Sequence, residues 1–423
     1  MSPNRQASRS KFKGFCMDKV VIVGSGQAGA QTAISLRDEG FAGQITIVGE
    51  EPGWPYQRPP LSKAYLLGKM DDDGILLRAP QTYADLKIEI IAEARAEAIE
   101  RKNHRLRLSE GRALAYDHLV LATGARQREL PVPGADLDGV LPLRTIVDAR
   151  ALMARMGKLK GAVVAGAGFI GLEFAAVARA HDIPVTVLEI AERPMARALS
   201  HEMSAFFRER HEAWGVDFRF GVGARQVRGQ GRVEEVELSD ESFLDADLLL
   251  VGIGVLPNVE LAEQAGLTCG NGIVVDETML TSDHAISAIG DVALHPNRFS
   301  ATGPVRLESV QNAADQGRLV AARLMGKPKT YDVVPWFWSD QGDLKLQMAG
   351  LATGHDQAVL RGDPVSGAFS VFCFKDGALL ACESVNRPAD HMAARRILQG
   401  GLPFTADNAA DESVALKSYL APR

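Results

Sequence analysis

The sequence predicts an α/β protein built from two Rossmann-like domains and a small α+β C-terminal domain, and three observations carry that prediction. An apolar run, Val20-Val21-Ile22-Val23, meets Gly24-Ser25-Gly26-Gln27-Ala28-Gly29 and continues in helix-compatible sequence to Leu36. The same pattern returns 142 residues later, where Val163-Val164-Ala165 enters Gly166-Ala167-Gly168-Phe169-Ile170-Gly171. The final stretch, from Tyr331 onward, carries no such fingerprint and reads as strand-rich.

In the first unit, Gly24 suits the sharp turn, Gly26 lets backbone approach a pyrophosphate, and Gly29 lets helix and strand pack closely. A second strand, Ile45 to Val48, ends at Gly49-Glu50, where an acidic side chain is placed to bind a ribose hydroxyl. The second fingerprint is followed in the same way by Val185 to Leu188 and then Glu189. The repeat implies two bound dinucleotides.

Between the two units lies a proline-rich loop, Pro52 to Lys63, with two cations, Arg58 and Lys63. They are candidates to neutralise a pyrophosphate or to sit beside a cofactor ring; a solvated turn is the alternative. Residues 88 to 120 read as a small β-meander with a hairpin tip at Glu110-Gly111 and a returning strand from His118 to Ala125. The second unit closes at Val251-Gly252 and runs on to Pro257-Asn258. Asp291, after Gly290, is placed either to bind a ligand at the carboxyl edge of a sheet or to cap the next helix. A helix is expected over 309 to 325. The resulting division is a first dinucleotide unit of 17–125 with 258–330, a second dinucleotide unit of 126–257, a C-terminal domain of 331–423 and a frayed extension over 1–16.

Net charge is −6 with no basic stripe interleaved with aromatics, which sets nucleic acid aside. No run reaches the roughly 18 apolar residues of a membrane span, and residues 1–16 lack the apolar core of a secretory signal. A cytoplasmic monomer is expected. The four cysteines, Cys16, Cys269, Cys373 and Cys382, are too scattered for a disulfide framework, and no metal-ligand set is visible.

At this point the residues resemble a family, the FAD-dependent ferredoxin reductases of the putidaredoxin reductase type, which supply cytochrome P450 and aromatic-ring oxygenase systems. The matching stretches are GSGQAG at 24–29, RPPLSK at 58–63, LATGA at 121–125, GAGFIGLEFA at 166–175, GD at 290–291, ESVQNAADQ at 308–316 and WFWSDQ at 336–341. They span nearly the whole chain after Met17, in family order. The resemblance implies that FAD is held by Gly24, Gly26, Gln27, Ala28, Gly29 and Glu50, with Arg58, Lys63, Ala122, Thr123 and Gly124. Asp291, Val310 and Trp338 complete that set. It implies NADH at Gly166, Gly168, Phe169, Ile170, Gly171, Glu189 and Gly252, with Arg193 and Arg197 near enough to leave NADPH open. Lys63 and Glu173 resemble an ion pair beside the flavin, and with Trp338 they form the expected catalytic set. Glu173 is expected in the first turn of its helix, where the dipole favours a carboxylate.

The two-dinucleotide, glutathione-reductase-like plan is shared with disulfide oxidoreductases, but here no cysteine lies between Met17 and Thr268 and no CxxC or CxxxxC exists. Thiol-relay chemistry is therefore excluded. The flavin has to pass electrons outward, and the resemblance names a [2Fe-2S] ferredoxin as acceptor. An NADH-sensing flavoprotein of the apoptosis-inducing-factor kind, and a rubredoxin or monodehydroascorbate reductase, remain as alternatives. Trp336 and Trp338 are expected on opposite faces of one strand, with the second at the flavin. Residues 332–423 hold eight Lys or Arg against eleven Asp or Glu, so an acidic partner needs a local basic patch. Arg318 leads the candidates, ahead of Arg387, Arg395 and Arg396. Many relatives place an aromatic residue after SDQ, where this chain has Gly342.

Overall fold

The structure is a computed structural model that describes residues 11–12 and 15–420. Lys11–Phe12 pairs antiparallel with Phe15–Cys16, and the rest of the expected frayed extension lies outside the described residues. The chain divides into two compact units. The first takes residues 1–57, 72–126 and 257–333; the second takes 58–71, 127–256 and 334–423.

The first unit is organised by a five-stranded sheet in the order Ile286–Ala288, His118–Leu121, Lys19–Val23, Gln44–Val48, Ile88–Ile91, and every neighbouring pair is parallel. Its three inner strands, His118–Leu121, Lys19–Val23 and Gln44–Val48, are short apolar runs buried on both faces, as a sheet covered on each side requires. The helices Gln27–Asp38 and Val310–Leu324 lie close together because Gly317 has no side chain: a Cβ there would come within 2.9 Å of the Thr32 hydroxyl. The expected meander over 88–120 needs correction. Only Ala96–Glu100, Arg105–Leu108 and Ala113–Ala115 form an antiparallel sheet, with Gly111 at the tip in the left-handed region. Ile88–Ile91 and His118–Leu121 join the parallel sheet instead: His118–Leu121 is buried throughout and lies between two strands, and Ile88–Ile91 adds the edge strand beside Gln44–Val48.

The second unit contains two larger sheets. One is parallel, in the order Val140–Leu141, Leu248–Val251, Ala162–Ala165, Val185–Glu189, Val216–Phe220. The other is antiparallel, in the order Trp336–Gln341, Leu344–Gly350, Ala378–Val385, Ala368–Lys375, Gln357–Asp363. One face of the antiparallel sheet is closed by the helix Pro388–Gly400, with Phe372, Phe374, Cys382, Ala394, Ile397 and Phe404 in the shared core. The opposite face meets the helix His201–Ala213, where Phe206 packs edge-on against Phe369 at 4.7 Å. A smaller antiparallel sheet, Ala224–Arg228, Glu235–Leu238 and Phe243–Asp245, completes the unit.

Candidate functional site

In the first unit the three fingerprint glycines are required for three different reasons. Gly24 has φ +117°, and a Cβ on it would stand 2.1 Å from the Ala122 carbonyl oxygen. At Gly29 a Cβ would fall 2.0 Å from the Gly24 carbonyl. Gly26, by contrast, faces open space, and it caps the Gln27–Asp38 helix with no side-chain hydrogen bond and no acid in the first turn. An uncapped helix N-terminus behind a bare glycine fits a pyrophosphate, whose charge its free N–H groups and dipole would stabilise.

Three distant pieces of chain converge on this turn. Gly290 has φ +74°, and its missing Cβ would lie 3.1 Å from Ala28 and 3.8 Å from Ala313. Asp291 therefore sits beside the first fingerprint helix and near the start of Val310–Leu324, in a 3-10 turn spanning Gly290–Val292 rather than as the cap of a long helix. The Gly290–Asp291 turn is held from behind. The Gln316 amide oxygen accepts the Gly290 N–H at 2.7 Å, and Arg306 donates to the Asp291 carbonyl at 3.0 Å. Gln316 is fully buried and in turn donates to Asn312. Val310 opens the helix, one residue after Ser309, whose hydroxyl caps it through the Asn312 N–H. Glu50 follows the second strand, mostly exposed, 3.6 Å from Arg95, a pair that at this exposure contributes little. Thr123 and Gly124 are tied to Asn258, whose side chain donates to the Thr123 carbonyl while its own carbonyl accepts the Thr123 hydroxyl. Asn258, Arg306 and Gln316 have functions that the sequence alone does not reveal, although Gln316 lies within ESVQNAADQ.

The second fingerprint repeats the arrangement. Gly166 has φ +104° and would clash with the Gly252 carbonyl at 2.5 Å; a Cβ on Gly171 would clash with the Gly166 carbonyl at 2.3 Å. Gly168 caps Phe169–Ala180, again without a side-chain bond. Glu189 is fixed across its two oxygens, one accepting the Ala167 N–H and the other the Ala191 N–H, both at 2.9 Å. A carboxylate held this way keeps lone pairs for ribose hydroxyls. Arg193 is committed elsewhere: its guanidinium donates to the carbonyls of Ala196, Leu199 and Ser200. Arg197 is exposed beside Gly254. Ile170 occupies the first turn, and Phe169 packs on Phe337 at 4.7 Å.

Lys63 and Glu173 meet, with Nζ to Oε2 at 2.8 Å and only 4% of the glutamate side chain exposed. Ser62 donates to the same oxygen at 2.5 Å, and Ser339 donates to the other at 2.6 Å. Glu173 is the fifth residue of Phe169–Ala180, which corrects its expected place in the first turn. The dipole fades beyond that turn, so the ammonium and two hydroxyls, rather than the helix, stabilise the buried charge. Arg58, in the same unit, donates to the Arg144 carbonyl.

Trp336 and Trp338 lie on one face, not two: their rings are 5.5 Å apart. Residues two apart in a strand share a face, which is the physical reason for the correction. Trp338 lines an open groove of about 480 Å³ with Asp340, Lys345, Gln347, Asn386 and Pro388. Ser339 points the other way, so Trp338 is not brought together with Lys63 and Glu173 on one side of the strand. Among the candidate docking cations, Arg318 is exposed and paired with Asp315 at 2.7 Å. Arg387 pairs with Asp390 and Glu412, Arg395 lies over the Trp336 ring, and Arg396 is exposed.

Residues 18–317 match the family described as pyridine nucleotide-disulphide oxidoreductase, and residues 336–420 match the reductase C-terminal family. The chain is 51% identical to rhodocoxin reductase of Rhodococcus erythropolis, over 95% of this chain and 94% of that one. Among solved structures it is similar to the ferredoxin reductase for the CYP199A2 system from Rhodopseudomonas palustris, with a TM-score of 0.93, 50% identity, and 96% and 100% of the two chains covered. It is also similar to the reductase in the covalent putidaredoxin reductase–putidaredoxin complex, with a TM-score of 0.92, 41% identity, and 95% and 98% covered. No helix of the described residues is long and apolar enough to cross a membrane. The chain thus belongs to the pyridine nucleotide-disulphide oxidoreductase family, which uses FAD and NAD(P)H, and within it to the ferredoxin reductases.

Proposed function

We propose that this protein is a cytoplasmic NADH-dependent reductase that carries FAD and delivers electrons singly to a [2Fe-2S] ferredoxin serving a cytochrome P450 or another oxygenase. The observation that carries the reading is a pair of uncapped, glycine-walled helix N-termini in a chain whose described cysteines are unsuited to thiol relay. Cys373 and Cys382 are fully buried, and burial pushes both thiols far up, away from the reactive thiolate. FAD, when bound, supplies the conversion of a hydride pair into single electrons. The protein's own part is to hold that cofactor through Gly24, Gly26, Gly29, Glu50 and Asp291, and the nicotinamide nucleotide through Gly166, Gly168, Gly171 and Glu189. Glu189 favours NADH, because a carboxylate that accepts ribose hydroxyls repels a 2′-phosphate.

The test is NADH-driven reduction of a panel of purified [2Fe-2S] ferredoxins, read through cytochrome c, with ferricyanide, a rubredoxin and monodehydroascorbate as alternative acceptors. Turnover is expected with at least one ferredoxin. Its rate should fall as salt rises and with Arg318→Glu, since steering of an acidic partner is screened beyond about 8 to 10 Å at 0.1–0.15 M salt. Ferricyanide reduction without any ferredoxin turnover would overturn the reading.

A further inference from the structure

Of the SDQ triplet at 339–341, two residues face inward. Ser339 and Gln341 are fully buried, on the face of the Trp336–Gln341 strand opposite Trp336, Trp338 and Asp340. The Gln341 side-chain oxygen is 2.7 Å from Nε2 of His211, and its amide nitrogen donates to the Ser339 hydroxyl oxygen at 3.1 Å. The Ser339 proton is thereby left for Glu173.

The far end of this chain sets its direction. His211 is fully buried on the helix His201–Ala213, walled by Trp214 at 4.8 Å and Phe218 at 6.2 Å. Burial pushes its pKa down to about 4, so the ring is neutral and carries a single N–H. Its Nδ1 has no hydrogen-bond partner, so the proton belongs on Nε2, facing the Gln341 oxygen. Each bond then donates toward the next acceptor: His211 to Gln341, Gln341 to Ser339, Ser339 to Glu173. Because the buried Nδ1 meets no further group, the chain has no exit for a proton. It works as an orienting device.

We propose that Ser339 and Gln341 are positioning residues: the aligned donors running from His211 lock the Glu173 carboxylate, and through it the Lys63 ammonium, in the geometry used for flavin reduction by NADH. The proposal rests on reading Lys63 and Glu173 as the ion pair beside the bound flavin. Lys63 also donates to the Pro59 carbonyl at 3.2 Å. With two of its three N–H groups directed to Glu173 and Pro59, the third points where those two fix it.

Three readouts test this: the single-turnover rate of FAD reduction by NADH, the KM for NADH, and the midpoint potential of the bound FAD. Ser339→Ala should slow reduction about tenfold, equivalent to about 1.4 kcal/mol, with KM moved less than about twofold and a shifted potential. Ser339→Thr, which keeps the hydroxyl, should recover the rate to within about twofold. Gln341→Glu keeps the volume but reverses one bond: its carboxylate accepts from both His211 and Ser339, turning the serine proton away from Glu173. It should reproduce the Ser339→Ala effects and decides the matter if Ser339→Ala fails to fold. In a Glu173→Gln background, Ser339→Ala should add nothing. Wild-type rate and potential in Ser339→Ala and Gln341→Glu, alongside a slow Glu173→Gln, would overturn the positioning role while leaving the ion-pair reading intact. Effects of Ser339→Ala and Glu173→Gln that multiply would also overturn it. A wild-type Glu173→Gln would instead sink the ion-pair reading, and the proposal with it.

Discussion

Glu383 accepts two hydrogen bonds from Ser200, one from the backbone N–H at 2.9 Å and one from the hydroxyl at 2.6 Å, in a site where the glutamate is 1% exposed. Ser200 is itself the N-cap of His201–Ala213, so a strand of the antiparallel sheet holds the cap of a helix on the nucleotide-binding side.

That contact predicts a pH dependence of stability. Burial raises the Glu383 pKa to about 7, against the opposing pull of the Ser200 donors. The folded state therefore binds this proton more tightly than the unfolded state does. Its contribution is full below the unfolded value and is lost as pH climbs from about 4.5 through about 7, by an amount on the order of 3 kcal/mol. Glu383→Gln removes the titration. Subtracting its melting temperatures from wild-type values between pH 4 and 8 should leave a curve that falls as pH rises. A flat difference would show that Glu383 ionises freely in the fold.

Coenzyme choice should depend on Glu189 and not on Arg193. Glu189→Ala is expected to narrow the NADH-over-NADPH ratio of kcat/KM on the order of tenfold, since it removes a fixed charge facing the 2′ position. Arg193→Ala should leave that ratio within about twofold and instead lower the melting temperature, because orphaned carbonyls cost roughly 1–3 kcal/mol each. A large shift toward NADH in Arg193→Ala would reassign that residue as a phosphate reader.

FAD retention should depend on Gln316 although it is buried behind the Gly290–Asp291 turn. Gln316→Ala leaves the Gly290 N–H without its acceptor, and the turn that aims Asp291 loses its support. Weakening of FAD binding by roughly tenfold is expected, approaching that of Asp291→Ala. Filtration of the diluted proteins, followed by absorbance of the retained flavin, makes the comparison. Full retention by Gln316→Ala would mean that Arg306 alone positions the turn.

Gly342 should not tolerate an aromatic residue. It has φ +58°, in the first position of a two-residue turn, and a Cβ would sit 2.8 Å from the Trp214 ring. Gly342→Phe is expected to destabilise by roughly 1–3 kcal/mol through backbone strain alone, and by more through the clash. Trp214→Ala in the same chain should recover part of the loss, as thermal melts of the single and double variants would show. Equal melting temperatures for Gly342→Phe with and without Trp214 would leave strain as the whole effect.

What was legible in the sequence is what is decided within about ten residues. Gly24, Gly26 and Gly29, and their repeat at Gly166, Gly168 and Gly171, stand on a strand, a turn and a helix whose demands are local. The support of the ion pair was not legible, because Ser62 lies 111 positions from Glu173, and Ser339 lies 166 positions from it. A buried serine in such a place looks like any other small core residue until the chain is folded. The sheet that Ile88–Ile91 and His118–Leu121 join is not legible, because a short apolar run has the same appearance in a parallel strand as in a meander. Trp338 is legible as part of a motif, and its sharing a face with Trp336 follows from the strand's period of two, but only the folded sheet shows that Glu173 lies on the other face.

The path of residues 58–71 constrains the order in which this protein can be made. Their flanks belong to the first compact unit and they belong to the second, so the chain crosses between units before either is complete. On a ribosome adding roughly 5–20 residues each second, Ser339 emerges about 8 to 33 s after Glu173. Throughout that interval the nascent carboxylate has Ser62 and Lys63 available but not the donor chain from the antiparallel sheet. In chains arrested before that sheet is synthesised Glu173 should thus lack the Ser339 donor, and the final strands should complete its hydrogen bonds.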